Sequence, residues 1–204
     1  MSSAEMTKPT ARESPRLKAR IAGLLYLVIF LAAPSGAATA TPAKLIITLA
    51  CDTGVALLLY ELLKPVSRRL SLLAALFRLI FVAVMAVNSL NYFGALALFQ
   101  RARSSAAFNS GYGIALVPFG VHCLLIGYLI FKSSFLPRTL GVLMALAGLG
   151  YLMFLWPPLG SRLFFPYIAI PGVAGEGSLT LWLIIIGVNA QRWRAQASGG
   201  RANG

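Results

Sequence analysis

The chain has 204 residues, 58% of them hydrophobic and 11% charged, which is about half the charged share of an ordinary soluble domain. Apolar runs recur from Ile21 to Ala190, so a water-soluble core is excluded and the fold class is an all-α polytopic membrane helix bundle. Eighteen Lys and Arg against five Asp and Glu give a formal net charge of +13, while two cysteines, Cys51 and Cys123, both inside apolar segments, supply neither a disulfide framework nor a spaced metal set.

Residues 1–20 are polar and basic, with Lys8, Arg12, Arg16, Lys18 and Arg20, and read as a flexible cytoplasmic tail. The first apolar segment runs from about Ile21 to Thr41. Its small-residue end, Pro34-Ser35-Gly36-Ala37-Ala38-Thr39-Ala40, resembles a signal-peptidase site. An uncleaved first helix is nonetheless expected, because later segments demand insertion and small residues suit packed transmembrane interfaces. Five further segments follow, at about Leu45 to Leu63, Leu70 to Phe99, Tyr112 to Phe131, Leu140 to Trp156 and Phe165 to Ala190, making six transmembrane helices within residues 21–190. At about 1.5 Å rise per residue each is close to the roughly 20 residues that cross about 30 Å of hydrocarbon. The third and sixth have length to spare for tilt, and the fifth is the marginal one. Continuous apolar runs lack the alternation of a membrane barrel. Residues 191–204 read as a second flexible basic tail.

Charge placement predicts orientation. Six crossings put thirteen basic residues on the face that carries both tails and the Lys64/Arg68/Arg69 and Lys132/Arg138 turns. The other face receives four, Lys44, Arg101, Arg103 and Arg162, with Arg78 left inside a segment. The bias predicts that both termini are cytoplasmic. It also accounts for the net charge through turns beside anionic lipid, so no nucleic acid partner is expected. Membrane lipid is the expected environment, with a membrane protein or a second copy of the chain as the other expected kind of partner.

Four residues are costly in lipid: Asp52, Arg78, His122 and Glu176, each on a different predicted helix. From the outer surface Asp52 lies roughly 12 Å deep, His122 and Glu176 roughly 15 Å, and Arg78 about 18 Å, all in one central layer. They are the candidate catalytic or transport residues. Arg78 keeps its charge and is expected to pair with Asp52 or Glu176; the other carboxylate and His122 are then the proton-exchanging groups. The leading expectation is a structural or partner-binding role, in which buried pairs hold the bundle together. Proton-coupled transport of a small solute and an intramembrane enzyme using a His–carboxylate pair are the alternatives. No metal and no cofactor is favoured: His122 and Cys123 are adjacent and point about 100° apart on a helix, and a lone histidine cannot complete a bis-imidazole haem site. Cys51 and Cys123 read as small buried hydrophobes.

Other features have local readings. Asn88 and Asn91 form a polar stripe near the end of the third helix, suited to interhelical hydrogen bonding or to a substrate mouth. Glu61 and Lys64 form an interfacial pair at a spacing of three. Gly141, Gly148 and Gly150 allow close approach along the fifth helix, which Trp156-Pro157-Pro158 ends. Pro166, Pro171, Gly172, Gly175 and Gly177 surround Glu176 and suggest either a discontinuous helix or, as the favoured reading, a thin wall for close packing. Trp193, between Arg192 and Arg194, reads as an interfacial belt residue. No nucleophile elbow, zinc-protease motif, phosphate loop or dinucleotide fingerprint is present.

The sequence resembles the bacterial membrane proteins grouped as domain-of-unknown-function 4386. The resemblance rests on Ala19-Arg20-Ile21-Ala22-Gly23-Leu24-Leu25-Tyr26, on Asp52, on the run from Arg69 to Leu76-Phe77-Arg78, on His122 through Tyr151 with its Ser134-Phe135-Leu136-Pro137-Arg138-Thr139-Leu140-Gly141 turn, and on Gly175-Glu176 leading to Leu181-Trp182-Leu183. It implies a multi-pass protein of the bacterial inner membrane, typically with six spans and with acidic, basic, histidine and glutamate positions like those above. It implies no reaction, substrate or cofactor. The short Ser35–Lys44 link departs from relatives that carry a longer external segment. The three functional readings differ in what they require: a route to both faces for transport, a closed His–carboxylate pocket for catalysis, or satisfied pairs without a cavity for a scaffold. The two three-helix halves show no internal duplication of the kind that favours transport.

Overall fold

A computed structural model describes residues 14–33, 37–93 and 105–202. Helix α1 spans Pro15–Ala32, α2 Pro42–Leu63, α3 Arg68–Phe93, α4 Ser105–Lys132, α5 Arg138–Leu152, α6 Pro157–Leu163, α7 Ala169–Ile185 and α8 Ala190–Ala202. Short turns of tighter or wider helix fill Ala37–Thr39, Met153–Leu155 and Phe164–Ile168.

Capping chemistry sets the starts of α1 and α2, which fall earlier than the apolar runs alone suggest. Ser14 accepts from the Leu17 N–H with Pro15 as the first helical residue, so Lys18 and Arg20 belong to α1 and not to a tail. Thr41 and Pro42 repeat the device at α2, with Thr41 Oγ1 accepting from Lys44 N at 3.3 Å. Helix α1 stops at Ala32, well short of Thr41, because Ala33 precedes Pro34 and takes an extended conformation, φ −59° and ψ 130°. Pro34, Ser35 and Gly36 of the cleavage-like stretch, the end of the third predicted segment from residue 94, and Arg101 and Arg103 lie outside the described residues.

The sixth segment also differs from expectation. Its helix α7 is continuous from Ala169 to Ile185 through Pro171 and the glycines, so Glu176 does not sit at a helix break. The interruption lies upstream, where Phe165 is non-helical at φ −116° and ψ 130°. It precedes Pro166, which disfavours helical geometry at the residue before it. Residues 191–202 of the segment read as tail lie in α8; Trp193 Nε1 donates to Leu62 O at 2.8 Å and the Gln196 side chain accepts from Ser134 N at 3.1 Å.

Helices α1, α2, α3, α4, α5 and α7 close into an antiparallel ring, each packed on the next and α7 returning to α1. Lys18 meets Glu61, Asn88 Nδ2 donates to Phe108 O at 3.0 Å, and Gly23 of α1 lies against Ile184 of α7, which are the head-to-tail matches of an up-and-down bundle. Asn88 thus takes the interhelical hydrogen-bonding role; Asn91 is exposed. The tightest seam is α4 on α5. A Cβ on Gly120 would stand 2.9 Å from Gly148 O and one on Gly127 2.7 Å from Gly141 O, with Gly141 and Gly148 meeting α4 as closely in return. Four glycines, two per helix at a spacing of seven, let the backbones touch, which is how helices pack where apolar burial gives no advantage over lipid. Gly175 does the same for α7, its Cβ position lying 2.8 Å from Leu143 O, in line with the close-packing reading of that stretch.

Among the described residues, five stretches are long and apolar enough to cross a membrane: Pro42–Leu63, Arg68–Phe93, Ser105–Lys132, Arg138–Leu155 and Pro157–Ile185. Helix α1 has 18 residues and carries Arg16, Lys18 and Arg20 in its first turns. Large apolar side chains such as Leu31, Leu90, Leu146 and Ile185 point outward. The chain is therefore a multi-pass helical bundle whose outer surface meets lipid.

Candidate functional site

The ring closes on a buried arginine. Arg78, halfway along α3, is fully buried, as is His122 of α4, and Asp52 of α2 is 2% exposed. An unpartnered guanidinium there would be prohibitive, and every nitrogen of Arg78 is engaged. Nε and Nη2 both donate to Asp52 Oδ1, at 3.0 and 2.5 Å. Nη1 donates to the Tyr26 hydroxyl at 2.5 Å and lies 3.1 Å from His122 Nε2. The guanidinium carbon is 4.6 Å from the Tyr26 ring centre and 5.2 Å from that of Phe119, so aromatic faces replace part of the hydration it lost.

The hydrogen bonds also assign the histidine tautomer. His122 Nδ1 lies 2.8 Å from Ala74 O, which can only accept, so Nδ1 carries the proton. Nε2 then has the lone pair that receives Arg78 Nη1–H. His122 therefore holds Arg78 between α3 and α4 as a neutral ring, with Phe119 stacked on it at 5.7 Å. Replacing His122 with Phe removes both bonds and is expected to cost about 1–3 kcal/mol. Gln, which can still donate and accept, is expected to restore part of that loss in a thermal melt of the detergent-solubilised protein. Equal melting temperatures for all three would mean that the ring only fills space.

Glu176 is set apart from this hub. It lies on α7, partly exposed, and Oε1 accepts from the Tyr151 hydroxyl at 2.7 Å. Among the described residues it forms no salt bridge: the ion pairs there are Arg78–Asp52 and the contacts of Glu61 with Lys18 and Lys64. Of the two pairings open to Arg78, the structure has the one with Asp52.

Asp52, Arg78 and Glu176 line one cavity of about 220 Å³ in the half of the ring where α1 ends. Tyr112, Tyr151 and Thr48 add polar groups, and Ile29, Leu45, Phe81, Leu116 and Val173 are among its apolar walls. His122 stands outside this lining, behind Arg78. So Asp52, Arg78 and His122 are directly bonded, Glu176 shares the cavity with the first two, and the described residues contain no His–carboxylate hydrogen bond. Nor do any three His, Cys, Asp or Glu among them group as metal ligands. Cys123 is buried and Cys51 half-buried, both as free thiols.

Sequence reasoning missed the tyrosines as site residues. Tyr26 and Tyr151 end two of the stretches that carry the family resemblance, which was a usable signal. Tyr112 offered only a hydroxyl in an apolar helix.

Comparison with known proteins agrees with the sequence-based resemblance. The family described as domain of unknown function (DUF4386) matches residues 36–187, a span that contains Asp52, Arg78, His122 and Glu176 and excludes Tyr26. An archaeal protein from Archaeoglobus fulgidus, described as uncharacterized, is 33% identical over 136 residues, covering 67% of this chain and 76% of its own. No solved structure matches the chain. With three-quarters of its length inside the family's match, the chain belongs to the DUF4386 family.

Proposed function

We propose that this protein binds a small solute in the cavity of the helix ring and couples that binding to a proton on Glu176. The observation that carries the reading is a carboxyl with no salt bridge among the described residues, lining a membrane cavity beside the Asp52–Arg78 pair. For cohesion alone Glu176 offers one bond, from Tyr151, and an ionisable group at membrane depth is costly enough that an apolar residue of similar size commonly serves stability as well or better. The structural role belongs to the Arg78 hub, which ties α1, α2, α3 and α4 together. A His–carboxylate enzyme is the weaker alternative, because both ring nitrogens of His122 are committed to Ala74 and Arg78. The cavity is smaller than the roughly 300–1,000 Å³ of drug-sized sites, which suits a compact solute with one polar end toward Glu176, Tyr112 and Tyr151.

The same reading includes six crossings of a bacterial inner membrane with both termini cytoplasmic. Its support is the antiparallel ring, which brings the start of α1, the α2–α3 and α4–α5 turns and α8 to one basic end.

The test is reaction of the membrane-reconstituted protein with dicyclohexylcarbodiimide, an apolar reagent that attacks protonated carboxyls, with adducts mapped by mass spectrometry. Glu176 is expected to be labelled, faster as pH falls, and Asp52 spared by its bond to Arg78. Glu176→Gln should abolish labelling, and proteoliposomes containing that variant should lose any solute-driven proton movement. Labelling of Asp52 in place of Glu176, or of neither, would overturn the assignment.

A further inference from the structure

The basic end of the ring contains a second pocket, of about 380 Å³, away from the solute cavity. It is formed by the first turn of α1, the turn between α4 and α5, the end of α7 and the start of α8. Its polar lining among the described residues is Arg16, Ser134, Trp182, Asn189 and Arg192, with no carboxylate. Glu61, an acidic residue at this end of the bundle, is already held by Lys18 at 2.9 Å and Lys64 at 2.7 Å. Neither Arg16 nor Arg192 forms a salt bridge among the described residues, and Arg192 Nη1 reaches only a backbone oxygen, Ser134 O, at 3.4 Å. Two guanidinium groups, from α1 and α8, thus meet around a space with no counter-charge among the described residues of its lining.

A second observation points the same way. The indole N–H of Trp182 is buried and meets no acceptor among the described residues, although native folds rarely leave such a donor unmatched. The backbone oxygen of Trp182 is itself occupied: it accepts from Ile186 N and Gly187 N at 2.9 and 2.8 Å, in a turn that Gly187 closes at φ +72°. Next to the pocket, the last turns of α7 expose Leu181 (58%), Ile185 (69%) and Ile186 (55%), a strip that faces lipid.

We propose that this pocket holds the phosphate of an anionic phospholipid, with Arg16 and Arg192 as its charge partners and the Trp182 indole as a third donor, while the acyl chains lie along Leu181 and Ile185. Guanidinium forks suit phosphate oxygens, and the apolar strip favours a lipid over a free phosphate.

The test uses the full chain, delipidated in neutral detergent and titrated with phosphatidylglycerol or phosphatidylcholine, with retained lipid counted by native mass spectrometry. One tightly held phosphatidylglycerol is expected. Arg16→Gln/Arg192→Gln should weaken it roughly thirty-fold, and Trp182→Phe should weaken it about ten-fold. Arg68→Gln/Arg69→Gln, which removes the same charge from the α2–α3 turn, should leave it within about three-fold. As a reading that does not depend on gas-phase retention, a chain keeping Trp182 alone (Trp156→Phe, Trp193→Phe) should be quenched by brominated phosphatidylglycerol in vesicles. That quenching should vanish with Arg16→Gln/Arg192→Gln. Equal losses for both arginine pairs, or no quenching, would overturn the proposal. Displacement of the lipid by millimolar glycerol phosphate with no preference between headgroups would overturn the lipid assignment in favour of a soluble phosphate.

Discussion

Replacing Asp52 with Ala is expected to lower folding stability by about 3–5 kcal/mol, because Arg78 would be left charged and buried without its counter-ion. Relief is limited: the guanidinium does not give up its proton in a protein, its side chain is buried, its remaining hydrogen bonds are to the neutral Tyr26 and His122, and the one other carboxylate among the described residues of the cavity lining, Glu176, forms no ion pair with it. Asp52→Asn should be nearly as damaging, since it keeps the shape and removes the charge. The informative variant is the double replacement Asp52→Leu/Arg78→Met, which removes both charges together. It is expected to recover most of the loss, as apolar substitution of buried pairs commonly does, less the cost of leaving the Tyr26 hydroxyl and His122 Nε2 without their shared donor. Denaturant titration in mixed micelles, followed by helical circular dichroism, measures all three. A single-variant loss below about 1 kcal/mol would mean that water reaches Arg78 and that the pair is not sealed.

The layer containing this pair was legible because hydrocarbon makes polarity expensive: Asp52, Arg78, His122 and Glu176 stand out against their helices in a way that no soluble core would allow. Which carboxylate Arg78 takes was not legible. Depth counting places both near the midplane, and the choice depends on lateral order in the ring, where α2 neighbours α3 and α7 does not. The tyrosines escaped for the opposite reason: an amphipathic side chain costs little in lipid and so leaves no contrast. Helix ends were misjudged where hydrophobicity was used as a ruler, although Ser14-Pro15 and Thr41-Pro42 spelled the true starts as caps. The glycines show the same division. Gly141 and Gly148 marked α5 as a close-packing helix, but their partners Gly120 and Gly127 become meaningful only once α4 is known to run antiparallel beside them.

That seam carries the second large effect. Gly120→Leu is expected to destabilise the bundle by about 1–3 kcal/mol through overpacking, and to disturb the cavity beside Glu176 although Gly120 does not line it. A Cβ at Gly120 would lie 2.9 Å from Gly148 O, 3.1 Å from Leu152 N and 3.1 Å from Tyr151 Cβ. The first two are backbone atoms that cannot swing away, so α5 must shift outward and take Tyr151 with it. Tyr151 is the residue that holds Glu176 at 2.7 Å, and its ring packs 5.4 Å from Phe119 on the cavity wall. The Asp52–Arg78–His122 hub, built on α2, α3 and α4, does not include α5 and should survive. The variant should therefore change the rate at which a carbodiimide labels Glu176 while leaving Asp52 unlabelled, a combination that general unfolding cannot produce because it would expose both carboxyls. Gly120→Ala, with a single methyl in the same place, should give a smaller change of the same kind. An unchanged Glu176 labelling rate in Gly120→Leu would show that α4 and α5 part without moving Tyr151, and would separate the glycine seam from the function of the cavity.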